Sequence, residues 1–248
     1  MTPDDISVVI PAVNEAQRVD RAIRSAQKAG AEEIIVCDGG SDDATINVAL
    51  QNGARICESE PGRGHQLRAG AAQATKPVLL FLHADNALSD GCLQQICVAV
   101  NAAADPRLVW GGFRQRIDCA RGLYRLLESG NAARIRYRGM PFGDQAMFVS
   151  KSIYEQVGGF EAIPLMEDVK LSRALRRIGW PMLLDGPVHV AARRWQQQGV
   201  IRQTARNWWI QLAHCAGVKE QCLSDWYHVD QQKKPRSIDR GHDDSDDS

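Results

Sequence analysis

No apolar run in this chain of 248 residues approaches the roughly 20 that a membrane-spanning helix needs, so a soluble or at most peripheral protein is expected. An excess of either charge is missing as well. Lys and Arg number 30 against 30 Asp and Glu, and a balance of zero gives no reason to expect a nucleic-acid partner. Paired cysteines are lacking. The seven present (Cys37, Cys57, Cys92, Cys97, Cys119, Cys215, Cys222) are odd in number and contain no Cys-x-x-Cys, which argues against a disulfide framework or a zinc site. Most stand among apolar neighbours and read as reduced core residues of a cytoplasmic protein. The acidic start Met-Thr-Pro-Asp-Asp runs straight into a strand, unlike a secretory signal. Two glycine signatures are absent too. Ala12-Val13-Asn14-Glu15 follows the first apolar run where a dinucleotide-binding turn needs Gly-x-Gly-x-x-Gly, and no Gly-Lys-Ser or Gly-Lys-Thr occurs. A sugar nucleotidyltransferase would need a glycine-rich basic loop at the same place, so that class is set aside as well.

What is present alternates. The run Val78-Leu79-Leu80-Phe81-Leu82, bounded by Pro77 and by His83-Ala84-Asp85-Asn86, reads as a strand buried on both faces that delivers polar groups to the edge of a sheet. Further strands are expected at residues 6–11, 33–38 and 54–57. Helices are expected after Asn14, which with Gln17 resembles a capping box, then from Asp43 to Gly53 and over 65–74. The loop Pro61-Gly62-Arg63-Gly64 precedes the third. This order, β-α-β-α-β-α-β, implies an α/β fold with a parallel sheet and right-handed crossovers. Ligands of such sheets bind at the carboxyl ends of the strands.

The second half is less regular. A helix capped by Ser89 is expected over 89–102, and a strand over 108–117 with Gly111-Gly112 marking a close approach. A basic helix is expected over 121–138 and a strand over 146–149. A helix opened by Met166-Glu167-Asp168, with Leu171, Ala174, Leu175 and Ile178 inward, is stopped by Gly179. Short strands at 182–184 and 188–190 and a last helix over 200–216 complete the set. Residues 229–248 turn acidic and read as a disordered tail.

Carboxylates stand at three strand or helix ends: Asp38, Asp85 and Asp168. Together with Ile10-Pro11-x-x-Asn14-Glu15, Asp38-Gly39-Gly40-Ser41-x-Asp43, His83-Ala84-Asp85, Gly143-Asp144-Gln145 and Glu167-Asp168-Val169-x-Leu171, they make the chain resemble the family 2 glycosyltransferases of GT-A fold. The resemblance covers roughly residues 6–216. Gly62-Arg63-Gly64-x-Gln66-Leu67, Leu82-His83-Ala84-Asp85, Pro164-Leu165-Met166-Glu167-Asp168-Val169 and Ala192-Arg193-Arg194-Trp195 are most similar to a bacterial subgroup of radical-SAM/selenodomain-associated transferases. The resemblance implies one GT-A domain over residues 1–228, with a mostly parallel central sheet flanked by helices and with C-terminal helices. Residues 6–90 would be its nucleotide-binding half and 91–228 its acceptor half.

It also implies metal-dependent, inverting transfer of a sugar from a nucleotide-diphosphate sugar, a UDP-sugar, to an unspecified acceptor. Asp38 would accept from the uracil imide, and Pro11 and Glu15 would line base and ribose. Arg63 would meet the diphosphate, and Asp85 would hold a bridging Mg²⁺ or Mn²⁺. Asp168 would be the general base, with Asp144, Gln145 and Glu167 on the acceptor side. Two positions depart from the family pattern: His83 replaces the first Asp of an Asp-x-Asp, and Asp38 stands alone before Gly39 where tandem aspartates are usual. His83 is open to ligating the metal or bonding the ribose, and uracil against guanine stays open. Plainer roles compete: Asp38 as a turn residue, Arg63 as a solvated side chain, His189 as an ordinary strand histidine. The arginines of 121–138 and Arg193-Arg194-Trp195 with Trp208-Trp209 read most plainly as helices packed on the sheet with solvated arginines, and they raise one further option, a polyprenyl-phosphate glycosyltransferase at the inner face of the membrane. A non-catalytic sugar-nucleotide-binding protein is the other.

Overall fold

The computed structural model describes residues 1–119, 122–163 and 165–192, together with Trp209, Ala213 and Val218. The apolar runs form the strands. β1 (Ile6–Ala12) leads through α1 (Val19–Lys28) to β2 (Glu33–Asp38), and both strands are buried along their whole length. Next come α2 (Thr45–Gln51), β3 (Arg55–Glu58), α3 (Arg63–Gln73) and β4 (Val78–Phe81). The second half supplies β5 (Asn86–Leu88), α4 (Cys92–Ala102), β6 (Trp110–Ile117), α5 (Gly122–Arg138), β7 (Phe148–Ser150), α6 (Lys151–Gln156), α7 (Glu167–Arg176) and β8 (Met182–Val190).

All eight strands join one sheet in the order β3-β2-β1-β4-β7-β6-β8-β5. The pairs β1/β2, β1/β4, β2/β3 and β6/β8 are parallel; β4/β7, β6/β7 and β5/β8 are antiparallel. The side-chain period of two splits each strand between two cores. Val8, Ile10, Val36, Leu80 and Phe148 pack with Ile23 of α1, Ala49 of α2 and Leu93 of α4 on one face. Val9, Ile35, Leu79 and Phe81 pack with Leu67 of α3, Ile153 of α6 and Leu171 of α7 on the other. α3 lies so close to the sheet that a Cβ on Gly70 would stand 2.3 Å from Cys37 Sγ and 2.5 Å from Val9 Cγ1.

Four expectations need correcting. Asn14 does not cap α1, which begins at Val19 after Arg18. Its backbone is left-handed, its N–H donates to Ser41 Oγ and its side chain accepts from Asp42 N, so it ties two loops together instead. Ser89 does not cap α4, which starts at Cys92 behind Gly91. The unforeseen β5 pairs with Val188–Val190, and Ser89 N donates to Pro187 O, which delays the helix. The two short strands expected at 182–184 and 188–190 are one strand, β8, with a register shift opposite Phe113 and Gln115. The strand expected from Ala146 begins at Phe148, because Ala146 is left-handed. Among the described residues no helix is long and apolar enough to cross a membrane. The helix expected over 200–216, Arg193-Arg194-Trp195, Trp208, Arg121 and the tail at 229–248 lie outside the described residues.

Candidate active site

β1, β2 and β4 run parallel, so their carboxyl ends share one edge of the sheet. Ala12 is in register with Asp38 there, and the chain leaving β4 carries His83 and Asp85. Buried Gln66 of α3 fastens this edge, its Nε2 donating to Ala12 O at 2.7 Å and Cys37 O at 2.9 Å. Asp38 is buried, and its carboxylate already holds its own turn. Oδ2 accepts from Gly40 N at 2.9 Å and Ser41 N at 2.8 Å, and Oδ1 accepts from Ser41 Oγ at 2.5 Å. A carboxylate has about four lone-pair sites, so one remains for a ligand. Pro11 is buried in β1; Glu15 is half-buried, with its N–H on Thr45 Oγ1 and its carboxylate paired with Arg18.

A second convergence joins distant segments. Asp168, in the first turn of α7, accepts from Gly143 N at 2.8 Å through Oδ2 and from Val169 N at 2.7 Å through Oδ1. A Cβ on Gly143 would lie 2.7 Å from His83 Nε2 and 3.5 Å from Asp168 Oδ2. The bare glycine is what allows the imidazole and the carboxylate to crowd the same loop. Asp144 and Gln145 follow in a short 3-10 turn. The Asp144 carbonyl accepts from Gln115 Nε2 at 3.0 Å and Asn86 Nδ2 at 3.2 Å, while Asp144 Oδ1 and Asn86 Oδ1 are buried and unbonded. Gln145 is fully buried, and its Oε1 accepts from Arg134 Nη2 at 2.8 Å and Phe142 N at 3.2 Å.

In sequence Arg134 is only one of the charges of a basic helix. Its guanidinium stacks over the Phe142 ring at 3.5 Å and donates to Met140 O and Asn131 Oδ1 as well as Gln145. It therefore pins the loop that presents Gly143 and Asp144. Desolvation lowers its pKa from the ordinary Arg value, opposed by the charges of Asp144 and Asp168. Nothing in the spacing marks Arg134. Gln115 did carry a signal, being the polar residue between Phe113 and Ile117 on the buried face of β6.

Arg63 is the first residue of α3 and not part of the loop ahead of it. Its Nε donates to Glu167 Oε1, so the residue assigned to the donor and one assigned to the acceptor meet. Glu167 is only 1% exposed and its Oε2 is buried without a partner. Burial pushes the Glu167 pKa up, Arg63 opposes this and Asp168 adds to it. His189 stands apart, its Nδ1 3.0 Å from Asp118 Oδ1, with Arg21 on the other oxygen.

Among the described residues no three His, Cys, Asp or Glu side chains form a metal cage. Asp85 is half-buried on the segment after β4. One carboxylate completed by a bound diphosphate is a common way to hold Mg²⁺, and Asp85 fits that role.

Residues 7–158 match the family described as Glycosyl transferase family 2. An uncharacterized glycosyltransferase of Mycobacterium tuberculosis is 33% identical over 106 residues, 42% of this chain and 48% of that one. The chain thus spans about half the length of such curated relatives. S. aureus TarS 1-349 in complex with UDP-GlcNAc aligns with a TM-score of 0.61 at 13% identity, covering 77% of this chain and 58% of that one. Glucosyl-3-phosphoglycerate synthase from Mycobacterium tuberculosis, in complex with Mn²⁺ and UDP-glucose, gives 0.52 at 20% identity, covering 75% and 69%. At such identities the two structures share the fold.

Proposed function

Because the chain belongs to glycosyl transferase family 2 and has the GT-A fold, we propose that it moves a sugar from a nucleotide-diphosphate sugar, a UDP-sugar, to an acceptor hydroxyl with inversion. The observation that carries this reading is the meeting of His83, Gly143 and Asp168 beyond the carboxyl edge of the parallel strands. Asp38 offers its remaining lone pair to the imide N–H of the base, with Pro11 and Glu15 along the nucleoside. Arg63, the first residue of α3, would trade Glu167 for a diphosphate, a stronger bidentate partner. Asp85 would hold Mg²⁺ or Mn²⁺ together with the diphosphate, and such a cation would neutralise charge on the leaving group. His83 would ligate the cation or bond the ribose.

Each Asp168 oxygen accepts one N–H, which leaves lone pairs to take the acceptor proton. The acceptor oxygen then bonds to the anomeric carbon as that carbon's bond to the diphosphate oxygen breaks. Asp144 Oδ1 and Asn86 Oδ1, buried and unbonded, are free to accept from hydroxyls of the acceptor. We place the chain nearest the radical-SAM/selenodomain-associated subgroup on its motif wording. We also take residues 1–228 as one domain, with a donor half at 6–90 and an acceptor half at 91–228. Calorimetry with UDP and GDP, each with and without Mn²⁺, tests the donor site. UDP binding strengthened by Mn²⁺ is expected; tighter GDP binding, or equal UDP affinity with and without metal, overturns the assignment.

A further inference from the structure

Net charge is zero over the whole chain, yet residues 129–143 and 169–184 contain no Asp or Glu while carrying six Arg and one Lys. The fold brings the ends of these two stretches together. Arg176 Nη1 donates to Arg138 O at 2.8 Å, and Trp180 Nε1 donates to Arg136 O at 3.3 Å. The C-terminal ends of α5 and α7 therefore form one knob. Arg136, Arg138, Arg176 and Arg177 are all exposed on it. Among the described residues none of the four makes an ion pair with a carboxylate. Between them Tyr137 is 74% and Trp180 56% exposed.

A helix C-terminus favours cations through its dipole. That explains an arginine at each end but not two aromatic rings left in water beside them. α5 carries the apolar feature further. Leu123, Leu126, Gly130 and Tyr137 fall within one face at about 3.6 residues per turn, and Leu126 is 69% exposed. A helix with an open apolar stripe, ending in aromatics and arginines, has the chemistry of an element that lies in a lipid headgroup layer.

We infer that the joint end of α5 and α7 is a docking surface for an anionic lipid bilayer, with Tyr137 and Trp180 at headgroup depth and the four arginines on lipid phosphates. The chain's own acidic stretch at 243–247 would match the arginines but brings no apolar group to Leu126, Tyr137 or Trp180. Single-stranded nucleic acid would stack on the aromatics and leave the leucines in water. α7 has ten residues, or about 15 Å of helix, so Asp168 at its start would stand at most about one helix length from the headgroups. This surface does not depend on the glycosyl-transfer reading.

Co-sedimentation of the full chain with phosphatidylcholine vesicles, with and without roughly 30% phosphatidylglycerol, tests it without any turnover. Binding is expected only with the anionic lipid, and weaker at high salt. Replacing Arg136, Arg138, Arg176 and Arg177 by Gln should lower partitioning by on the order of 100-fold or more. Tyr137→Ala with Trp180→Ala should lower it by on the order of 10-fold. Unchanged melting temperature and UDP affinity serve as folding controls. Should the fourfold variant not fold, Arg136→Gln with Arg177→Gln should still cost on the order of 10-fold, because neither side chain holds a described hydrogen bond. Wild-type protein that ignores anionic vesicles overturns the proposal, as do aromatic variants that bind like wild type. Binding that appears only after Asp243, Asp244, Asp246 and Asp247 become Asn gives the knob to the tail. Tighter retention on a single-stranded oligonucleotide than on vesicles gives it to nucleic acid.

Discussion

Asp168 and Glu167 are neighbours in sequence with opposite surroundings. Asp168 holds two backbone N–H groups, whereas Glu167 is sealed in with one oxygen on Arg63 and the other on nothing. If Asp168 is the base, Asp168→Asn should lower kcat by on the order of 10²- to 10⁴-fold with UDP affinity nearly unchanged. A parallel loss of stability and UDP binding would make the residue structural. Glu167 has a folded pKa raised mainly by burial. Above the ordinary Glu value the unfolded chain releases this proton first and the folded chain keeps it. The folded state then binds more protons, and stability falls as pH rises from about 4.5 toward the raised value. Glu167→Gln should flatten that part of the stability curve, measured by urea unfolding across pH. Arg63→Ala should steepen it, since the opposing cation is gone; an unchanged slope in both variants would remove Glu167 from the titration.

At the scale of elements, close approach decides the geometry. α3 can lie on β1 and β2 only because Gly70 has no side chain. Gly70→Ala should cost about 1–3 kcal/mol of stability through overpacking, read as a lower denaturation midpoint with an unchanged m-value. The loop between α5 and β7 depends on Gly143 in the same way, but its neighbours are His83 and Asp168. Gly143→Ala should therefore reduce kcat by on the order of 100-fold, the scale of a 1 Å misplacement, and UDP affinity, through His83, by a smaller factor. An equal loss of both would put the loop in the donor site.

For the whole molecule, the edge proposed for the donor and the side proposed for the acceptor share one eight-stranded sheet, so ligand binding at that edge should stabilise the entire domain. A UDP-sugar with Mn²⁺ at about 100 times its Kd should add about 2.7 kcal/mol, or roughly 5–10 °C in Tm for a domain of this size. Asp85→Ala should remove the Mn²⁺-dependent part of that shift and leave the part due to the nucleotide alone. A shift that is the same with and without Mn²⁺ in the wild type would take Asp85 out of metal binding.

The first half of the fold was legible because local signals agree there. β1, β2 and β4 are mostly apolar, Asp38 ends β2 and His83 closely follows β4, and the glycines after α1 and α2 stop those helices where the pattern said. A parallel sheet fixes the rest, since strand ends that share an edge bring Asp38, His83 and Asp85 to it. The second half was less legible because its contacts are long-range. β5 has three residues and exists through its pairing with β8, a hundred positions away, which displaced Ser89 from the start of α4. Arg134 gives no sign in sequence of its loop, because stacking on Phe142 and bonding to Gln145 depend on where α5 lies. Arg63 and Glu167 are 104 residues apart and meet only when α3 and α7 pack on the same face of the sheet. For β1, β2 and β4, sequence alone determined which residues are buried in strands and which polar groups follow them, because hydrophobic period and turn chemistry act over a few residues. Only the tertiary structure decided which of those polar groups touch, because that depends on the packing of helices whose partners lie far along the chain.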